Sequence, residues 1–215
     1  MEYRKLVMIY IAFPVLAIFH LVAIAYWPDI FLLRLFSKIA PIVFLLASSV
    51  WEGRWKTSAG LWLGIGLVFS LGGDTILAFP DRYFVFGLGS FLIAQVSYSV
   101  SFSLGNPVHF LRVIPFLIFG AGYYYWLLPG IAGALQIPVA VYVTAICVMG
   151  WRSTAREVSP RDRILGILGA LSFILSDSLI ALGQFTPNKL PLHGVWIMGT
   201  YYVAQMLIYL SQEEE

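Results

Sequence analysis

Apolar residues run through this chain in long unbroken stretches, not in alternation. Polar or turn-forming breaks divide them into eight, approximately Leu6–Tyr26, Ile30–Val50, Ser58–Phe79, Phe84–Phe102, His109–Leu128, Ile131–Gly150, Ile164–Leu182 and Leu192–Leu210. Each is close to the ~20 residues that an α-helix needs to cross a bilayer. Lipid offers the backbone no hydrogen-bond partner, so a span must be a helix or part of a closed barrel. Continuous rather than alternating hydrophobicity favours helices. Only "LPG" separates the fifth and sixth stretches, and Pro-Gly marks a turn short enough to join antiparallel helices. No linker or low-complexity tract interrupts the pattern. The expectation is an all-α polytopic membrane protein, one domain over residues 1–215, built as a bundle of eight transmembrane helices.

The basic residues then suggest an orientation. In an eight-span arrangement Arg4, Lys5, Arg54, Lys56, Arg112, Arg152, Arg156, Arg161 and Arg163 fall on one side, and only Arg82 and Lys189 on the other. The positive-inside rule makes both termini cytoplasmic. The basic start "MEYRK" and the small-x-small site Ala23-Ile24-Ala25 share features with a signal peptide. The apolar stretch exceeds a usual signal core of about 7–15 residues and reads as a retained first span. The "EEE" tail reads as a solvated end.

Composition sharpens the class. Of 215 residues 60% are hydrophobic and 11% charged, with mean hydropathy +0.86. A net charge of +2 with no basic run gives no sign of a nucleic-acid partner. Cys147 stands alone, which excludes an internal disulfide and reads as packing. His20, His109 and His193 lie on different segments without a ligand-spaced His or Cys, so no metal site is expected. No nucleophile elbow, phosphate loop or dinucleotide fingerprint occurs.

Charged residues inside the spans are few: Arg34 and Lys38 in the second, Asp74 in the third and Asp177 in the seventh. Arg34 is near a helix end and can snorkel. The two aspartates lie about 13–16 residues from the cytoplasmic starts of their helices, roughly 20–24 Å at 1.5 Å per residue, and Lys38 about 12 Å in from the opposite end. All three therefore reach a similar depth, where one cavity can hold them. Two acids with one cation is a setting in which one carboxyl keeps its proton and the other is charged. A structural ion pair, or a proton- or cation-coupled transporter, would use the same residues. Ser70 precedes Asp74 by one helical turn, Ser176 adjoins Asp177, and Gln95 with Tyr98, and Tyr201 with Gln205, are one turn apart. These are candidate pocket residues, and they equally suit helix–helix hydrogen bonding. "FSLGGDTILAF" and "FILSDSLIALGQF", four spans apart, hint at a four-plus-four repeat.

With these residues in place the chain resembles the YhhN family of lysoplasmalogenases. The matching pieces are "KIAP" with Lys38, "GLVFSLGGDTIL" with Ser70 and Asp74, and "FGLGSFLIAQVSY" with Tyr98. They continue through "VMGWR", "GALSFILSDSLIALGQF" with Ser176 and Asp177, and "IMGTYYVAQMLI" with Tyr201 and Gln205. The resemblance covers nearly the whole chain. It implies a membrane hydrolase that cleaves the vinyl ether of lysoplasmalogens to a fatty aldehyde and a glycerophospho-base, with choline or ethanolamine heads. One position departs from the pattern: Gln95 stands where the family usually has the histidine of "H-x-x-Y".

Vinyl ether hydrolysis asks for a proton on the alkene β-carbon and a carboxylate to steady the resulting cation and activate water, as paired carboxylates do in glycosidases. Asp74 and Asp177 are the expected catalytic pair, without assignment of the acid. Lys38, Ser70, Gln95, Tyr98, Ser176, Tyr201 and Gln205 are expected to orient water or bind the phosphate and glycerol. No metal or organic cofactor is required. The expected partners are a lysophospholipid substrate and membrane lipids, with the oligomeric state left open. The expected location is the endoplasmic reticulum membrane, or the plasma membrane of a bacterium. The alternative on the same fold is a non-catalytic lipid binder or a proton-coupled transporter.

Overall fold

The computed structural model describes residues 8–79 and 83–212. Arg4, Lys5, Arg82, the "EEE" tail and the first residues of the first stretch lie outside them. The described chain is all-helical, with eight α-helices. They are α1 (Phe13–Tyr26), α2 (Phe31–Trp51), α3 (Ser58–Ile76), α4 (Phe84–Ser103), α5 (Ile114–Leu127), α6 (Gly133–Thr154), α7 (Pro160–Phe185) and α8 (His193–Leu210). A π-helical turn, Met8–Ala12, leads into α1, and 3₁₀ turns flank α5 at Phe110–Val113 and Leu128–Gly130.

Seven of these segments are long and apolar enough to cross a membrane, from Ile9–Tyr26 through Pro160–Phe185. The helix α8 has 18 residues, but His193, Gln205 and three tyrosines dilute its hydrophobicity. Large apolar side chains such as Leu111, Ile137, Ile118 and Phe36 point outward. In water such a surface would aggregate, and in lipid it is the expected exterior.

The boundaries differ from the sequence reading where local chemistry outweighs hydropathy. The seventh helix starts at Pro160, not Ile164, because Ser159 Oγ accepts from Asp162 N (3.1 Å) and proline suits the first turn. Arg161 and Arg163 thus belong to a helix, not a loop. "LPG" does form the α5–α6 turn, and Gly130 there lies against the Phe185 carbonyl with no room for a side chain.

One core draws buried residues from all helices except α5, which packs mainly on α6. The closest pairs are α3 with α4 and α7 with α8. Glycines set both. A Cβ on Gly73 would sit 2.5 Å from the Phe91 ring, and one on Gly169 would lie 2.9 Å from the backbone nitrogen of Ile208. Serines then reach the partner backbone: Ser90 Oγ donates to Phe69 O (2.6 Å) and Ser172 Oγ to Thr200 O (2.7 Å). Such contacts are how membrane helices adhere without a hydrophobic drive between them.

Arginines fasten one end of the bundle. Arg152 donates to Ser103 Oγ (2.7 Å) and to the carbonyls of Asn106, Pro107 and Val108. Arg54 donates to Tyr209 O (3.1 Å) and lies over that ring. Arg156, in the α6–α7 loop, donates to Ser211 O (2.8 Å). Burial brings its guanidinium down to about 10, opposed by Asp162, so it stays charged at neutral pH. These arginines thereby satisfy carbonyls at helix ends and in the adjoining loop.

Packing at these glycines makes a stability prediction. Gly169→Val should lose about 2–3 kcal/mol by overpacking against a backbone that cannot yield. Gly89→Ala, where nothing lies within 4 Å of the new Cβ, should leave stability unchanged within about 0.5 kcal/mol. Thermal unfolding in detergent compares the two.

Candidate functional site

The inner face of the bundle carries three polar clusters in apolar surroundings. The first is at the end of α3. Asp74 is 2% exposed. Its Oδ1 lies 3.5 Å from Lys38 Nζ of α2, and its Oδ2 accepts from Tyr201 OH of α8 at 2.7 Å. The ammonium gives this carboxylate a counter-charge where hydrocarbon gives none.

One turn along α3 and α8 lies the second cluster, a closed ring of three buried side chains. Tyr98 OH donates to Gln205 Oε1 (2.8 Å), and Gln205 Nε2 donates to Ser70 Oγ (3.0 Å). Ser70 and Tyr98 hydroxyls are 3.2 Å apart. Tyr98 has spent its proton on Gln205, so Ser70 donates to Tyr98, and the ring runs in one direction. Each member both gives and receives, the arrangement a buried polar network needs. Tyr98 reaches this place because Gly66 leaves space for its ring.

The third cluster surrounds Asp177 in α7. Tyr142 OH of α6 donates to Asp177 Oδ2 at 2.5 Å and Gln95 Nε2 of α4 to the same oxygen at 2.7 Å. Gln95 Nε2 also lies 2.7 Å from Tyr142 OH, and its Oε1 is buried without a partner among the described residues. No ion pair to Asp177 occurs among the described residues. Its two donors are neutral, in contrast to the ammonium facing Asp74. An aromatic wall adjoins the first cluster through Tyr201. In that wall Phe91, Phe173 and Tyr201 meet edge to face with centroids 5.7–6.3 Å apart.

Two cavities adjoin these clusters. A narrow apolar slot of about 60 Å³ runs between α4, α5, α6 and α7, with Asp177 and Tyr142 in its wall beside Phe91, Gly120 and Ile174. A wider cavity of about 700 Å³ lies towards α1, α2 and α8, and its polar lining is His20, Arg34, Lys38 and Gln184. Leu77, Phe84 and Ile180 border both.

The side chains expected at a single site are thus divided. Lys38, Asp74 and Tyr201 come together; so do Gln95 and Asp177; Ser70, Tyr98 and Gln205 form the ring. Ser176 joins none of them: its hydroxyl donates to Ile197 O (3.1 Å) and fastens α7 to α8. Lys38 and Asp177 line different, adjoining cavities rather than one. His20 is bonded to Ser37 Oγ (2.8 Å) and lies edge-on to Tyr202. Tyr142 was not singled out by sequence reasoning; its signal is a tyrosine hydroxyl in the apolar run "VAVYVTAI". Among the described residues no three His, Cys, Asp or Glu side chains gather as a metal would need.

Comparison with known proteins finds relatives over much of the chain. Lysoplasmalogenase TMEM86A of Bos taurus and of Homo sapiens are each 38% identical over 156 residues, 70% of this chain and 64% of theirs. The match therefore spans less than two thirds of the length of these relatives. Lysoplasmalogenase TMEM86B of Sus scrofa is 31% identical over 180 residues, 84% of this chain and 74% of its own. A lysoplasmalogenase of Mycobacterium bovis is 31% identical over 156 residues, 68% of this chain and 58% of its own. No solved structure matches the chain significantly. The YhhN family profile matches residues 33–212, a stretch that includes Lys38, both aspartates and the Tyr98 ring, and the chain belongs to that family.

Proposed function

We propose that this protein hydrolyses the vinyl ether of lysoplasmalogens within the membrane. The observation that carries the reading is a pair of aspartates in contrasted settings, Asp74 buried and Asp177 half-buried, in a chain whose relatives are named lysoplasmalogenases. Asp74 faces an ammonium, and Asp177 faces neutral donors on the wall of an apolar slot. The slot is apolar and admits a few carbons, and its wall brings Asp177 within reach of an alkene that enters it.

In this mechanism Asp177 is the acid. Both of its hydrogen bonds arrive at Oδ2, which suits a carbonyl oxygen, and leave Oδ1 to hold the proton. The proton passes from Oδ1 to the β-carbon of the vinyl ether as the C=C π bond breaks, leaving an oxocarbenium ion and an Asp177 carboxylate. Water adds to the cationic carbon and gives up a proton to a carboxylate, forming a hemiacetal. The hemiacetal C–O bond to glycerol breaks as the glycerol oxygen takes a proton from the carboxyl that water protonated, the hemiacetal hydroxyl gives its proton to an aspartate so that Asp177 ends protonated again, and the fatty aldehyde leaves. Asp74, held by Lys38 and Tyr201, stabilises the cation and orients water through that carboxylate. The Ser70–Tyr98–Gln205 ring keeps α3, α4 and α8 in register beneath it. Gln95 acts by donating to Asp177, a role that needs an N–H but no exchangeable proton.

In the same reading all eight helices cross the bilayer as one domain, α8 with its polar face turned inward. Both termini are cytoplasmic, and the membrane is that of the endoplasmic reticulum. The catalytic machinery is carried by side chains alone.

Aldehyde release from lysoplasmalogen by purified protein in detergent tests the reaction. Asp74→Asn and Asp177→Asn should each lower the rate at least ~100-fold, the scale of general acid–base catalysis. Near-normal activity in either folded variant would sink the paired-acid mechanism, and substrate-dependent proton flux in liposomes without aldehyde would favour a transporter. Tyr142→Phe removes one of two donors to Asp177 and should slow turnover about 10-fold, the kinetic equivalent of about 1–2 kcal/mol. At position 95 the donor matters more than titration. Gln95→Leu should lose about 10–100-fold, whereas Gln95→His, which keeps an N–H, should stay within about tenfold of the parent rate.

A further inference from the structure

Arg34 and the wide cavity have no part in the chemistry above. Arg34 stands on the same face of α2 as Lys38, one turn closer to the helix start, and both line the cavity. Its Nη2 makes one long hydrogen bond, 3.3 Å to Ala78 O, and its guanidinium lies 5.8 Å from the Phe31 ring. No carboxylate of the described residues lies within ion-pair distance of it, and none lines the cavity. Lys38, by contrast, already faces Asp74. Among the described residues the cavity wall therefore carries a surplus of positive charge. A guanidinium has five N–H donors in a planar fork, and the described residues engage only one arm of it. Such a fork matches two oxygens of a phosphate and is less costly to desolvate than an ammonium.

We propose that this cavity is a phosphodiester subsite, with Arg34 binding the phosphate oxygens of a lysophospholipid head. The inference rests on the lysoplasmalogen reading and adds the group that sets the substrate's register. A helical turn separates Arg34 from Lys38, roughly 5 Å along the axis, and a glycerol backbone spans a comparable distance between phosphate and ether oxygen. With phosphate on Arg34, the ether oxygen comes level with the Lys38–Asp74 pair. The chain then passes the common border at Leu77, Phe84 and Ile180 into the slot beside Asp177. At about 700 Å³ the cavity is within the range of small-molecule sites and holds a choline or ethanolamine as well as phosphate. Arg34 is thus a specificity-determining residue that distinguishes a phosphorylated substrate from a neutral alkenylglycerol.

The test uses the full chain in detergent and non-cleavable probes. Binding of a 1-O-alkyl lysophosphocholine and of the matching 1-O-alkylglycerol is measured by ligand-dependent thermal shift. The parent protein should bind the phosphorylated probe at least ~10-fold more tightly, the effect of one charge-assisted pair. Arg34→Gln should abolish that preference, and Arg34→Lys, which keeps charge without the fork, should restore part of it. An unchanged preference in folded Arg34→Gln would overturn the proposal. Equal protection by inorganic phosphate alone would also overturn it, because the site would then recognise a free anion. In turnover, Arg34→Gln should raise KM for lysoplasmalogen far more than it lowers kcat. If the parent protein binds the alkyl lysophosphocholine through Arg34 yet releases no aldehyde from lysoplasmalogen, the subsite stands and the hydrolase reading fails.

Discussion

A carboxylate surrounded by hydrocarbon must be given donors by its own protein, since neither lipid nor neighbouring apolar side chains can supply them. An unmatched charge at such depth costs several kcal/mol. The interior of this bundle is organised by that requirement. Asp74 draws in α2 through Lys38 and α8 through Tyr201. Asp177 draws in α4 through Gln95 and α6 through Tyr142. Between them the two acids engage six of the eight helices. The acids are therefore both the expensive elements of the fold and the points to which its helices are tied.

The pattern of ties has a cross-over. The closely packed pairs are α3 with α4 and α7 with α8. Within each pair, small residues and serine-to-carbonyl bonds hold the helices. Between the pairs the acids do it: Asp74 of α3 accepts from α8, and Asp177 of α7 accepts from α4. The Tyr98 ring adds a further bond in the same sense, from α4 to α8. The division explains why "GGD" has its glycines. Gly72 and Gly73 face Ser90 and Phe91 of α4 at contact distance, which leaves the adjacent Asp74 free to turn towards α2 and α8.

How much of this could be read from the chain depends on which physical quantity is involved. The helices were legible because a continuous apolar run has few alternatives in a bilayer, although capping at Ser159 moved the start of α7 beyond what hydropathy detects. The acids, Gln95, Tyr98, Tyr201 and Gln205 were legible as site candidates because a polar side chain in such a run is conspicuous. Their partition was not. Counting residues along a helix gives depth, and depth alone placed Lys38 and both aspartates in one cavity. It does not give the direction in which a side chain leaves its helix. Ser176 and Asp177 are neighbours in sequence, yet one turns to the α8 backbone and the other to Tyr142 and the slot. Tyr142 was missed because tyrosine is also an ordinary apolar packing residue, and Arg34 because a cation near a helix end has an easier explanation in snorkelling.

The same geometry bears on the departure at position 95. A glutamine in a proton-transfer site looks like a loss if the residue itself must titrate. Here its nitrogen meets Asp177 Oδ2 and the Tyr142 hydroxyl together, while its oxygen is left without a donor among the described residues. An amide in that position is used only from its N–H side, and the unpaired carbonyl is the cost of using it so. That asymmetry is what a replacement for a ring N–H would show: one donor placed on an acid's oxygen, with nothing asked of the rest of the group. In the proposed mechanism the proton delivered to the alkene then belongs to Asp177, not to residue 95. On that proposal the difference between a histidine and a glutamine at this place is one of donor geometry, not of chemical competence.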